Sequence, residues 1–559
     1  MTAISRLVSA AAVLVLVGLL PWLSGRDPAL TVLRGRSAER EATPEALAAV
    51  REQLGLDAGP LGLLQKWASG LLRGDFGASW VGGRPVLPDL LAATGVSLTL
   101  MGCAALVAVL VTALLITPWM RGGAAGAALT ALPEFLLASV LLLVGAVGLG
   151  WFPPYGWTGL HSAVLPALAL GLPAGGLIGM LLADAMSRAA HEPWVVTWAS
   201  AGAGRLRMTG ALLRRALPGV LPQVGLVLVG LTGGAVAVER VFAIPGLGRV
   251  TLGAAQTQDL PVLQGGVLIL LVLGAVAGAG TEIARRALLR TGDLPVAPAP
   301  PRPGRGLWIV TIGSAVLLAG LVIAGLLRDP FAADRGRLAA PSWALPLGAD
   351  ASGRDLLARL GHGAALTVGT ALLLCAGCLL LGLLIGLLPR LAAGPIEVAN
   401  AAPPVLSGLL VVAVTGPSTA AAALAVLVVG WAPLAAHTVA LVAEARARPY
   451  VRMAPILGVG PARSLFRLVL PAILGPLTRH AMLRVPGIAL ALAALGFLGL
   501  GPQPPTPDWG LVLSEGMPYV ERAPWTVLGP TVSLAVLSVL AVTAAALRRN
   551  AGRRPAVRA

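Results

Sequence analysis

The chain has 559 residues, 57% of them hydrophobic and only 12% charged, with a formal charge of +17. An average soluble domain carries about 25% charged residues, so this composition excludes an ordinary soluble fold and calls for a lipid bilayer around most of the surface. The charge does not point to nucleic acid: basic patches interleaved with aromatics are absent, and the arginines flank apolar stretches, where the preference for cytoplasmic arginine accounts for them.

Stretches of about 18 apolar residues or more, each long enough to cross a hydrocarbon core about 30 Å thick, recur along the chain. The first half offers spans near 4–23, 97–119, 127–150, 162–186, 217–239 and 262–286. The second offers 307–327, 364–389, 396–415, 418–443, 473–499 and 526–547. Six and six is a repeat, about twelve spans in all, and they are expected to be helices because open sheets cannot cross lipid. The expected organisation is a first half at 1–286, a proline-rich tether at 287–306, a second half at 307–547 and a basic tail at 548–559.

Orientation follows from arginine. Segments 187–215, 285–305 and 548–559 carry five arginines each and belong in the cytoplasm, as do both termini. The long segment 24–95 is then external. Residues 1–25 pair Arg6 with an apolar core, as a signal peptide does, but no small-x-small cleavage site follows, so retention is expected.

Catalytic chemistry is missing. Lys66, the single lysine, is followed by Trp67 and cannot belong to a phosphate-binding loop. The histidines at 161, 191, 362, 437 and 480 form no metal-ligand spacing, so no catalytic residue and no metal site is assigned. Cys375-Ala-Gly-Cys378 has redox spacing, yet it lies among leucines, where small residues usually serve helix packing. Charges inside spans are scarce, which makes Glu134, Glu239, Arg479 and Arg484 candidates for a solute pathway, against interfacial snorkelling for the two glutamates.

Two basic segments between spans read as helical loops. In Tyr450-Val-Arg-Met-Ala454-Pro-Ile-Leu-Gly458, a Leu-Pro pair ending at Pro471 follows the glycine by thirteen residues, describing a helix, a glycine turn and a second helix stopped at proline. This spacing resembles the EAA loop of ABC importer permeases, a resemblance that implies docking of loop 446–471 on an ATPase through Ala454, Gly458 and Pro471. Longer strings extend it. Gly496-Phe-Leu-Gly-Leu-Gly-Pro502 through Asp508-Trp509-Gly510, and Leu345-Pro-Leu-Gly348 through Gly353-Arg354-Asp355, are similar to the second permease subunit of the dipeptide, oligopeptide and nickel importer family. Leu71-Leu-Arg73-Gly74-Asp75-Phe-Gly77, His161 through Pro173, and Val238-Glu239 through Arg249 resemble its partner subunit.

The resemblance implies an all-α polytopic protein of two tandem six-helix permease domains, working with two ABC ATPase subunits or one fused ATPase and with an extracytoplasmic solute-binding protein. ATP would be bound by the partners, and this chain would hold no cofactor. In the first half the implied coupling loop is 188–218, with Ala201, Gly202 and Pro218. There the glycine lies sixteen residues before the proline, and Trp198 takes a position that is usually alanine. Leu492 stands where the family tends to have glutamate. An ion-gradient transporter, the alternative, would also show repeats but needs buried ion ligands at broken helices; a membrane enzyme would need a catalytic cluster.

Overall fold

The computed structural model describes residues 2–23, 29–30, 32–33, 43–55, 58–116, 126, 128–130, 133–288 and 305–551. Of the expected tether, 289–304 lies outside the described residues, as does 552–559 of the tail. Helices dominate, and among the described residues β pairing is confined to two isolated bridges, Ala78 with Pro85 and Ala349 with Asp355.

The first half runs α1 (Thr2–Gly18), α2 (Pro44–Leu54), α3 (Gly59–Leu72), α4 (Val86–Leu115), α5 (Glu134–Leu141) with a π turn at Leu142–Gly148, α6 (Leu160–Ala189), α7 (Pro193–Ser200), α8 (Arg205–Val241), α9 (Leu247–Thr257) and α10 (Leu260–Leu288). The second runs α11 (Arg305–Leu326), α12 (Leu356–Gly386), α13 (Pro389–Ala401), α14 (Pro404–Thr415), α15 (Thr419–Gly430), α16 (Ala432–Ala447), α17 (Pro449–Met453), α18 (Leu470–Met482), α19 (Val485–Phe497), α20 (Trp509–Gly516) and α21 (Trp525–Ala551).

Among the described residues eight helices are long and apolar enough to cross a membrane, or up to ten if each of two bent pairs counts as one span. The remaining two of the twelve expected segments are the shorter apolar helices Leu7–Gly18 and Glu134–Gly148. Sequence hydropathy does not see bends, which is why the twelve read alike there. One bend has a plain cause. The 40° break between α18 and α19 falls at Leu483 and Arg484, just before Pro486, which has no N–H for the carbonyl one turn back and crowds it sterically.

The chain packs into two compact units, and each draws on both sequence halves. The first comprises 1–90, 251–268 and 362–514, the second 91–250, 269–361 and 515–559. In the first unit α1 lies along α13, with the Gly394 N–H donating to Ser5 Oγ at 3.2 Å, and Gln264 Nε2 donates to the Val17 carbonyl at 2.8 Å. In the second unit α8 packs on α6 and α21 on α11. Close approach there depends on small residues: a methyl group at Gly175 of α6 would sit 2.7 Å from the Ala108 carbonyl oxygen of α4. α11 is the opposite case, since Trp308, Ile309, Ile312, Val316 and Ile323 are exposed apolar side chains suited to lipid.

Candidate functional site

Each of the two loops is a short helix, a left-handed glycine and a return into a long helix. In the first, Glu192 caps α7 in extended conformation, and its carboxylate accepts from Trp194 Nε1 at 2.8 Å and Arg215 Nε at 3.0 Å, tying the loop to α8. The Arg215 guanidinium, helped by the indole N–H, holds this carboxyl below the usual carboxylate range. Ala201 follows, and Gly202 has φ of 77°. Only glycine takes that conformation without cost, and the space around its missing side chain is open.

In the second loop α17 follows Arg448, and Gly458 has φ of 75°, also with open space beside it. Four residues before each glycine the loops part company. Ala454 is 2% exposed, whereas Trp198 is 38% exposed, edge-on to Trp194 at 5.5 Å with the Arg207 guanidinium 5.6 Å from its ring centroid. Both loops present apolar side chains outward: Val196 and Leu206 in the first, Tyr450, Met453, Ile456, Leu457 and Phe466 in the second. Exposed apolar groups in a basic segment outside the spans suit a protein partner.

The prolines behave differently from the sequence expectation. Pro471 does not stop the second helix, which runs on from Pro461 to Met482. A π turn at Leu465–Val469 precedes the proline and absorbs its missing N–H. Pro218 likewise lies inside α8, which is continuous over 37 residues.

The charged candidates scatter. Glu134 opens α5, where a carboxylate complements the helix dipole, and lies over Gly234 of α8. Glu239 does not snorkel. It is fully buried, accepting from the Ser97 hydroxyl of α4 at 2.5 Å and from the Arg249 N–H at 2.9 Å, while Ser97 Oγ accepts from the Leu247 N–H at 2.8 Å. The carboxylate thereby caps α9. Arg479 is on an exposed face of α18, and Arg484 sits at the break into α19.

The second half repeats the latch with other residues. Asp508 accepts from the Gly510 and Leu511 N–H groups at 2.9 and 3.0 Å, capping α20, and from Thr367 Oγ1 of α12 at 3.3 Å. Ser97 and Thr367 stand eleven residues into α4 and α12 respectively. Leu492 of α19 is buried.

The sequence profile of the binding-protein-dependent transport system inner membrane component matches twice, at residues 126–291 and 365–549. The chain belongs to this family. It is the membrane permease of an ABC importer, two permease domains fused in one multi-pass inner-membrane chain, and the family is not itself catalytic. A putative peptide transport system permease protein of Brucella abortus is 32% identical over 292 residues, covering 48% of this chain and 90% of that protein. A di/tripeptide transport system permease protein of Pseudomonas aeruginosa is 38% identical over 219 residues, covering 37% and 72%. A metal-staphylopine import system permease protein of Staphylococcus aureus is 28% identical over 264 residues, covering 46% and 85%.

Sequence reading missed how the permease fastens the loops around Asp75 and Asp350. Asp350 opens an Asx turn with its Oδ1 accepting from the Ser352 N–H at 2.8 Å, as Asp75 does with Gly77 at 2.8 Å in the first half. Asp350 then pairs with Arg354 and the fully buried Arg359, both at 2.7 Å, and Arg359 reaches Glu515 of α20 at 2.6 Å. In the first half Asp259 accepts from the Ser79 hydroxyl and from the Trp80 N–H. The signal that would have found them is a charge beside a charged string, Gly353-Arg354-Asp355 being followed by Arg359 within an apolar helix.

Proposed function

We propose that this permease carries peptides or metal-chelate solutes inward, driven by two separate ATP-binding subunits or one fused ATPase that grip loops 188–218 and 446–471. Relatives named for peptide and metal-staphylopine transport support the solute class. The observation that carries the coupling assignment is the pair of left-handed glycines, Gly202 and Gly458, each unobstructed and each beside outward apolar side chains. Ala201, Gly202 and Pro218 would form one docking element, and Ala454, Gly458 and Pro471 the other.

A solute-binding protein would deliver cargo to the outer segments 24–95, 328–363 and 500–525, and closure of the ATPases would switch the pathway between outward and inward states. The tether 287–306, placed with both termini in the cytoplasm by its arginines, keeps the halves at high effective concentration. Glu134, Glu239, Arg479 and Arg484 remain the pathway candidates, with Glu239 acting through the placement of α9.

The test is co-purification. With a tag after Ala559 and mild detergent, ATP-binding subunits should accompany the intact chain and the Gly458→Ala variant, and should be lost from Gly458→Trp. A chain that purifies alone and moves solute on an ion gradient would overturn the proposal.

A further inference from the structure

The bent span of the second half holds a group of cationic and imidazole side chains that the coupling mechanism does not use. The His437 ring of α16 stacks on that of His480 of α18 with centroids 4.3 Å apart and planes at 28°. Arg484 lies just past the end of the same helix, four residues after His480 and at the N-cap of α19. The Cys375 thiol is already engaged, donating to the Ala481 carbonyl at 3.2 Å. Arg484 Nε is buried without a hydrogen-bond partner, and among the described residues no carboxylate lies within ion-pair distance of Arg484 or Arg479.

An unpaired guanidinium inside a membrane span is costly and persists where it meets water or a passing anion. The neighbouring face of α18 exposes Gly475, Thr478 and Arg479 together with the apolar Leu474 and Met482. The feature is also one-sided. Arg479, His480 and Arg484 stand eight, nine and thirteen residues after Pro471, and at those distances after Pro218 the first half has Leu226, Val227 and Leu231.

We propose that Arg484, His480 and His437 form an anion-binding station in the second half's share of the pathway, and that it takes the carboxylate of the transported solute. This rests on the import reading above and narrows the cargo to carboxylate-bearing solutes, such as free peptides or carboxylate chelates of metals. The guanidinium supplies a forked pair of donors for a carboxylate, and the imidazoles add further donors beside it.

The test reads the station without ATPase or binding protein, so its failure and a failure of the co-purification are separate results. In the full chain with Cys103, Cys375 and Cys378 replaced by alanine, His437→Cys is labelled in phosphatidylcholine nanodiscs by an anionic sulfonate and a cationic ammonium thiosulfonate reagent. Normalised to a free thiol, the sulfonate should react about tenfold faster, as expected of a focused positive potential. Arg484→Gln should remove that preference and Arg484→Lys should keep it. Dialanine should slow the labelling and dialanine amide should not. No labelling by either reagent, a cation preference, or indifference to Arg484→Gln would overturn the proposal. Protection by added phosphatidylglycerol but not by dialanine would assign the site to a lipid phosphate and overturn it too.

Discussion

The stretch after Pro218 and the stretch after Pro471 are the same element of the repeat built in two ways. The first is one continuous helix, α8, whose polar anchor is the buried Glu239 clamped by Ser97 and the Arg249 N–H. The second is broken before Pro486, has Leu492 at the matching place and Arg484 at the break, and the carboxylate that caps the following short helix is Asp508, just before α20. In both halves a hydroxyl of a long span, Ser97 or Thr367, meets the carboxylate that caps a short helix, while a charge at the position of Arg484 is local to one.

The sharpest way to break that comparison is to make the halves alike. Leu231 of α8 is 3% exposed, so Leu231→Arg places a guanidinium in a packed interior without a partner; it should destabilise by several kcal/mol and abolish accumulation of full-length chain in membranes, whereas Arg484→Met should accumulate normally. Next comes the latch. Glu239→Ala orphans Ser97 and the Arg249 N–H and should cost about 2–3 kcal/mol, read as a lowered unfolding temperature in detergent, with Glu239→Gln recovering most of it.

Sequence carried the twelve apolar segments and the two glycine turns because each is a local property: about twenty apolar residues in a row, or one residue type at a tight bend. It did not carry the packing. α1 lies along α13 from the other half, and Glu239, Arg359 and Asp508 each find a decisive partner more than a hundred residues away, at Ser97, Glu515 and Thr367. It also read Pro471 as a stop, because a π turn that absorbs a proline has no composition of its own.

Smaller effects sharpen the difference between the loops. Trp198→Ala gives the first loop the small residue that the second has at Ala454, and should weaken retention of ATP-binding subunits by about tenfold if the indole is a docking contact. Glu192→Gln should matter least. Its carboxyl is held low by Arg215, so its contribution is present above the ordinary carboxylate value and disappears as pH falls through the lowered one. With both side chains partly exposed, the loss at pH 7 should stay below about 1 kcal/mol, and the variant's unfolding temperature should converge with that of the parent as pH falls below the ordinary carboxylate range.

The most direct measurement is photo-crosslinking from both loops in intact cells, with benzoylphenylalanine at Val196 and, separately, at Ile456, both of which point outward. The account predicts that adducts from each position contain an ATP-binding subunit. Adducts with lipid alone, or with no ATPase from either loop, would contradict it.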